Sequence, residues 1–136
     1  MAGELILIVE DNEKNRKLVR DVLQFKGYRT VEATSAEEGI EIARAQQPAL
    51  ILMDIHLPGM DGITALTHLK TDPLTQRVPV IAVTATAMIH DRQKILAAGF
   101  DGYQTKPISV KELTEVVEKV LAARPGASGP ETGRPS

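Results

Sequence analysis

Cysteine and tryptophan are missing from this chain of 136 residues, and its aromatic residues, 3% of the total, are Phe25, Tyr28, Phe100 and Tyr103. Without a thiol there is no disulfide and no thiolate chemistry, which fits a reducing compartment. With so few rings, the core has to be built from Ile, Leu, Val and Ala. No apolar run approaches the roughly 20 residues that a helix needs to cross a bilayer. Met1-Ala2-Gly3-Glu4 lacks a basic segment, and Leu5 to Val9 is too short for a secretory signal, so a cytoplasmic location is expected. An excess of one charge is also lacking. Lys+Arg 16 against Asp+Glu 18 gives a net charge of -2, which argues against a global attraction to nucleic acid. Neither Gly-x-Gly-x-x-Gly nor Gly-x-x-x-x-Gly-Lys-Ser/Thr follows the first apolar run, which counts against a nucleotide-binding doubly wound domain.

What is present is an alternation. Apolar runs at 4–9, 49–53 and 80–83, with more polar ones at 29–33 and 102–105, are each followed by a segment of helical period. Leu18, Val19, Val22, Leu23 and Phe25 mark the first helix, ended by Gly27. Ser35 with Glu38, and Ser109 with Glu112, have the spacing of capping boxes. Ala36, Ile40 and Ala43 mark the second helix; Ile63, Leu66 and Leu69 mark the third, after turns at Pro58-Gly59 and Asp61-Gly62. Ile89, Ile95 and Leu96 mark a fourth over 88–98, stopped at Gly99, and the last carries Val110, Leu113, Val116, Val117, Val120 and Leu121. Such alternation predicts an α/β fold, a doubly wound parallel sheet of five strands with helices on both faces. The continuously apolar runs belong in the middle and the polar ones at the edges, giving the order 2-1-3-4-5. The domain is expected over 1–123. The tail 124–136, rich in Pro, Gly and Ser, has too little apolar surface to offset its ordering entropy and is expected to be disordered.

In this order the chain changes direction between strands 1 and 3, and ligands bind at such a switch point, outside the carboxyl ends of the strands. Glu10 and Asp11 follow the first run, Asp54 the third, Thr84 the fourth and Lys106 the fifth. Three carboxylates gathered together repel unless a cation sits among them, and an all-oxygen donor set suits Mg2+. Taken singly, these residues have plainer uses. An acid pair also opens loops and caps helices, a lysine after an edge strand is usually solvated, and threonine is common in strands. Pro107 adds weight by restricting Thr105-Lys106 to extended geometry, and a cis Lys106-Pro107 bond would suit a tight turn.

The stretches Ile8-Val9-Glu10-Asp11-Asn12, Leu52 to Gly62, Val80 to Ala85 and Gly99 to Pro107 together resemble the receiver domains of two-component response regulators. The resemblance runs from residue 4 to about 122 and, with a short tail and no output domain, is nearest to stand-alone receivers of the chemotaxis (CheY-like) and cell-cycle (DivK-like) types. It implies a flavodoxin-like (βα)5 fold. It also implies that Asp54 is the phosphoacceptor, taking its phosphoryl group from a histidine kinase or a histidine phosphotransfer protein. Asp11 and Asp54 would then hold Mg2+ directly, Glu10 through water, and the His56 backbone carbonyl would complete the protein's share. Lys106 would pair with phosphoryl oxygens. Thr84 would bond one of them, aided by the Ala85 amide, and Tyr103 would be the aromatic switch.

The resemblance further implies a signalling domain rather than a turnover enzyme. Its output would pass to a protein target through the face made by the fourth helix, the fifth strand and the fifth helix, with no direct nucleic-acid or membrane contact. His56 and Thr86 stand where the family tunes the lifetime of the acyl phosphate; His68 and His90 are read as surface residues. A haloacid-dehalogenase-type phosphatase also uses Asp, Mg2+ and Lys. It usually carries Asp-x-Asp at the first strand, where this chain has Glu10-Asp11, and little sequence is left here for a substrate cap. A receiver cut from a larger kinase or regulator is the other alternative.

Overall fold

The computed structural model describes residues 3–85 and 89–123, with side chains of the second stretch described from Arg92 onward. The predicted tail, Thr86 and the side chain of His90 therefore lie outside the described residues. Strands and helices alternate: β1 (Leu5–Val9), α1 (Glu13–Phe25), β2 (Arg29–Ala33), α2 (Ala36–Gln46), β3 (Leu50–Asp54), α3 (Gly62–Thr71), β4 (Val80–Thr84), α4 (Ile89–Ala98), β5 (Gly102–Thr105) and α5 (Val110–Ala123). All pairings are parallel, in the order β2-β1-β3-β4-β5. β3 and β4 each run one residue further than expected, so Asp54 and Thr84 are the last residues of their strands rather than the first beyond them.

The pleat sends alternate residues to opposite faces. Leu7, Val9, Ile51, Met53 and Ala82 pack with Ala36, Ala43, Leu66, Leu69 and Ile95 of α2, α3 and α4. Ile6, Ile8, Leu50, Leu52, Ile81 and Val83 pack with Val19, Leu23, Leu113, Val117 and Leu121 of α1 and α5. β3 and β4 are buried throughout, as their unbroken apolar runs require, whereas edge strands β2 and β5 are only partly covered.

Several residues assigned to helix faces lie elsewhere. Phe25 is 87% exposed, because at 100° per residue it stands about 200° around α1 from buried Leu23. Leu18 and Leu96 are exposed for the related reason that each is one residue out of step with its buried neighbour, Val19 or Ile95. Val110 is exposed because it is the first residue of α5, a turn ahead of the seam that begins at Leu113.

The caps also differ in detail. Ser35 Oγ accepts from the Glu38 amide at 3.1 Å, but the Glu38 carboxylate turns to the Thr34 amide at 2.8 Å. Ser109 Oγ accepts from the Glu112 amide at 3.4 Å, while Glu112 Oε1 faces the Gln104 side-chain amide at 3.5 Å. Gly27 (φ 96°) and Gly99 (φ 113°) end α1 and α4 in the left-handed conformation that glycine adopts without steric cost.

Candidate functional site

The acid pair does not cap α1. Asn12 does, its side-chain oxygen accepting from the Asn15 amide at 3.0 Å, so Glu10 and Asp11 are left for another purpose. Glu10 continues the line of β1, its amide donating to Ala33 O at 3.0 Å, and its side chain is only 5% exposed. Asp54, at 2% exposure, ends β3 beside Val83 of β4. Asp11 is exposed at the mouth. One carboxylate oxygen from each of Glu10, Asp11 and Asp54 falls within 4.8 Å of the others.

Lys106 reaches this group from the end of β5. Its Nζ donates to Asp54 Oδ2 at 3.1 Å and lies 3.2 Å from Glu10 Oε1. Its amide donates to Thr84 O at 2.8 Å, which ties the lysine backbone to the end of β4. The Lys106-Pro107 bond is cis. The other Asp54 oxygen, Oδ1, accepts from the His56 amide at 3.0 Å. The described contact of His56 is thus through its N–H, and its side chain points outward, as does that of His68.

Burial pushes the Glu10 carboxyl up to about 6. The Asp54 charge adds to this, while the Asn12 amide (to Oε2, 3.1 Å) and the Lys106 ammonium act against it. Desolvation likewise acts against the charge on Lys106, but the hydrogen bonds and attraction of Asp54 and Glu10 outweigh it and hold the ammonium above the usual lysine range. The pocket therefore carries more negative charge than its one lysine offsets. An oxygen-binding divalent cation is the chemical complement of such a donor set.

Thr84 is buried at the end of β4 and Ala85 is exposed just after it. Tyr103 pairs in register with Ala82, is half-buried against the α2–α4 side of the core, and carries the Arg92 guanidinium 5.0 Å above its ring centroid.

Three contributors were missed by sequence reasoning. Gly62 opens α3 so close to the end of β3 that a Cβ there would lie 2.7 Å from Asp54 O. Arg92 covers Tyr103 from α4, and only knowledge of the packing of α4 against β5 could have shown it. Arg16 donates through a terminal guanidinium nitrogen to Glu10 O at 3.0 Å. Its place in the first turn of α1 was a usable signal, since helical side chains lean toward the N-terminus.

The family model of the response regulator receiver domain matches residues 6–118. The polar-differentiation response regulator DivK of Brucella ovis is 44% identical over 116 residues, 85% of this chain and 94% of the relative. Among solved structures, the receiver domain of the sensor histidine kinase PA1611 from Pseudomonas aeruginosa is 36% identical with a TM-score of 0.79, over 87% of this chain and 97% of that one; it holds a magnesium ion in its active-site cleft. The chemotaxis response regulator CheY4 of Vibrio cholerae superposes with a TM-score of 0.82 over 88% of this chain and 99% of its own, at 23% identity, a likeness of fold.

Proposed function

The chain belongs to the response regulator receiver domain family, and from that premise we propose that it accepts a phosphoryl group on Asp54, with Mg2+, as a receiver in a two-component phosphorelay. Receiver domains are signalling domains rather than turnover enzymes, and this one is DivK-like. The observation that carries the reading is Lys106 Nζ set between Asp54 Oδ2 at 3.1 Å and Glu10 Oε1 at 3.2 Å, beside three clustered carboxylates.

In the proposed transfer an Asp54 carboxylate oxygen attacks phosphorus in a phosphohistidine of the donor. The new P–O bond forms as the N–P bond breaks, and the electron pair returns to the donor imidazole. Glu10, Asp11, Asp54 and the His56 carbonyl would hold Mg2+, Glu10 through water. A bound Mg2+ supplies positive charge to the phosphoryl oxygens. Lys106 is placed to leave the Asp54 carboxylate for a phosphoryl oxygen as that carboxylate becomes an acyl phosphate. The His56 amide orients Asp54 beforehand through Oδ1. The donor class is a histidine kinase or histidine phosphotransfer protein. The magnesium in the PA1611 receiver, 36% identical to this chain, supports the same metal here. No helix of the described residues is long and apolar enough to cross a membrane, and a cytoplasmic location is proposed with this role.

Output is proposed to run through Thr84 and Tyr103. Phosphorylation brings about -1.5 to -2 charge with new acceptor oxygens, and Thr84 and the Ala85 amide stand at the strand end that would face them. Thr84 shares its side of the sheet with Ala82, two residues back, and Ala82 is the register partner of Tyr103. A movement of Thr84 toward the phosphoryl group then frees space for Tyr103. It shifts the population of packings on the α4-β5-α5 face, where a protein target docks. His56 is proposed to influence the lifetime of the acyl phosphate together with Thr86, which lies outside the described residues.

The test is labelling with radioactive acetyl phosphate in MgCl2. The wild type takes up label and Asp54→Asn does not; label at full stoichiometry in Asp54→Asn would overturn the assignment. Catalytic turnover of p-nitrophenyl phosphate would point instead to the phosphatase alternative.

A further inference from the structure

Asp11 poses a positioning problem. It is exposed, and its side chain has no hydrogen bond or ion pair among the described residues, yet its carboxylate stands in the three-acid cluster. Its direction must therefore come from the backbone on either side of it. On one side the Glu10 amide is held by Ala33 O at 3.0 Å, and on the other the Asn12 amide is held by Glu10 Oε2 at 3.1 Å. Between them lies the Glu10–Asp11 peptide, whose carbonyl accepts from the Arg16 guanidinium at 3.0 Å. Arg16 is itself fixed: its Nε donates to Glu32 Oε1 at 3.0 Å, and the two side chains are 17% and 28% exposed. Arg20 reaches the other Glu32 oxygen at 3.4 Å.

We propose that Arg16, locked by Glu32, is a positioning residue for the metal-holding carboxylates, fixing the Glu10–Asp11 peptide so that Asp11 is presented to Mg2+. The inference rests on the Mg2+ reading above. The rigid guanidinium fork suits the task, since it spans a backbone carbonyl and a carboxylate at once, which a lysine ammonium on a flexible stem does poorly. Glu32 has a second effect. It balances the charge of Arg16, so that the peptide is held without a net positive charge beside the cation site.

The two effects of Arg16 have opposite signs and can be separated. Loss of the carbonyl bond loosens Asp11 and weakens Mg2+ binding. Loss of the positive charge alone would strengthen it. The double variant Arg16→Met/Glu32→Gln removes the bond with no change in net charge and isolates positioning. Partners that orient metal ligands typically carry 10–100-fold in affinity, and the expected loss here is about tenfold. Arg16→Met alone should lose less, and should approach the double variant at high salt, where the charge contribution is screened. Arg16→Lys, which keeps the charge, should lose about threefold by the same reasoning.

The experiment is a titration of the isotope-labelled, unphosphorylated protein with MgCl2, followed by the Asn12 and His56 amide signals, with the Mg2+-induced rise in Tm as a second readout. Arg44→Met serves as control, since it breaks an ion pair with Asp72 away from the site and should leave Mg2+ affinity unchanged. Wild-type affinity in the folded double variant, or weakening in Arg44→Met as large as in the double variant, would overturn the proposal while leaving the Mg2+ reading intact. A wild type that binds no Mg2+ would overturn both.

Discussion

Glu10 is a carboxylate that folding makes more costly to ionise, and the consequence can be measured. Burial raises its pKa from 4.5 to about 6, so between those values the folded chain binds more protons than the unfolded chain. The stability that the protonated side chain contributes is complete below pH 4.5 and is lost as the pH rises through about 6. At 1.36 kcal/mol per pH unit the difference amounts to about 2 kcal/mol. The isosteric Glu10→Gln carries no charge, so without metal at about pH 7.5 it should be more stable than the wild type by up to that amount. For a domain of this size the rise in Tm is about 8 °C. At about pH 4 the two proteins should melt together, because both are then neutral at this position.

Mg2+ should reverse the order. A ligand that binds only the folded state stabilises it by mass action, and the variant has lost one of the three clustered carboxylates proposed to hold the metal. In millimolar MgCl2 at about pH 7.5 the wild type should therefore melt above Glu10→Gln. Metal binding requires ionised carboxylates, so wild-type affinity should weaken about tenfold between pH 7 and pH 5, and that dependence should flatten in the variant. The assay is thermal unfolding followed by circular dichroism, in EDTA and in MgCl2, at both pH values. A variant less stable than the wild type in EDTA at about pH 7.5 would refute the reasoning, because it would mean that Lys106 more than offsets the desolvation of Glu10.

Strand order and the convergence of the candidate site residues were legible because both follow from strong, simple signals. Unbroken apolar runs at β1, β3 and β4 can be buried only in the middle of a sheet, and once the order is set, the residues after those strands have one place to meet. Helix faces were less legible. Phe25 and Val110 are apolar and fall near the right spacing, but periodicity does not say where a seam begins or how wide the neighbouring surface is. The capping boxes show a similar limit: the Ser35 half is sequence-local and was found, whereas the Glu38 carboxylate had a choice between two amides one residue apart. Gly62 was missed because its role is a backbone distance, a strand too close for a Cβ, which no pattern of side-chain types encodes; Arg16 was missed although its place in the first turn of α1 pointed back toward Glu10, because its partner is a backbone carbonyl at 3.0 Å rather than a side chain.

Core and surface on the α1–α5 side should respond very unequally to substitution. Leu113→Ala, fully buried in the core on this side of the sheet, should cost about 2–5 kcal/mol in urea unfolding, and Phe25→Ser, on the exposed side of α1, should stay within about 0.5 kcal/mol of the wild type. The third variant tests whether the end of β3, which carries the proposed phosphoacceptor Asp54, depends on Gly62. A methyl there would lie 2.7 Å from Asp54 O and 2.8 Å from Ile55 Cα. Both are backbone atoms that cannot rotate aside, so the end of β3 or the start of α3 must move. Overpacking of this kind costs about 1–3 kcal/mol, and alanine recovers up to about 1 kcal/mol through its better helix propensity. The net loss of stability is therefore small. Labelling should suffer more, because a displacement of the Asp54 backbone moves the proposed attacking carboxylate with it, and small misplacements of reacting groups cost up to about 100-fold in rate. Gly62→Ala should fold, melt a few degrees lower and accept phosphoryl groups from acetyl phosphate at least about tenfold more slowly. Labelling at the wild-type rate would show that the loop after β3 yields without disturbing Asp54.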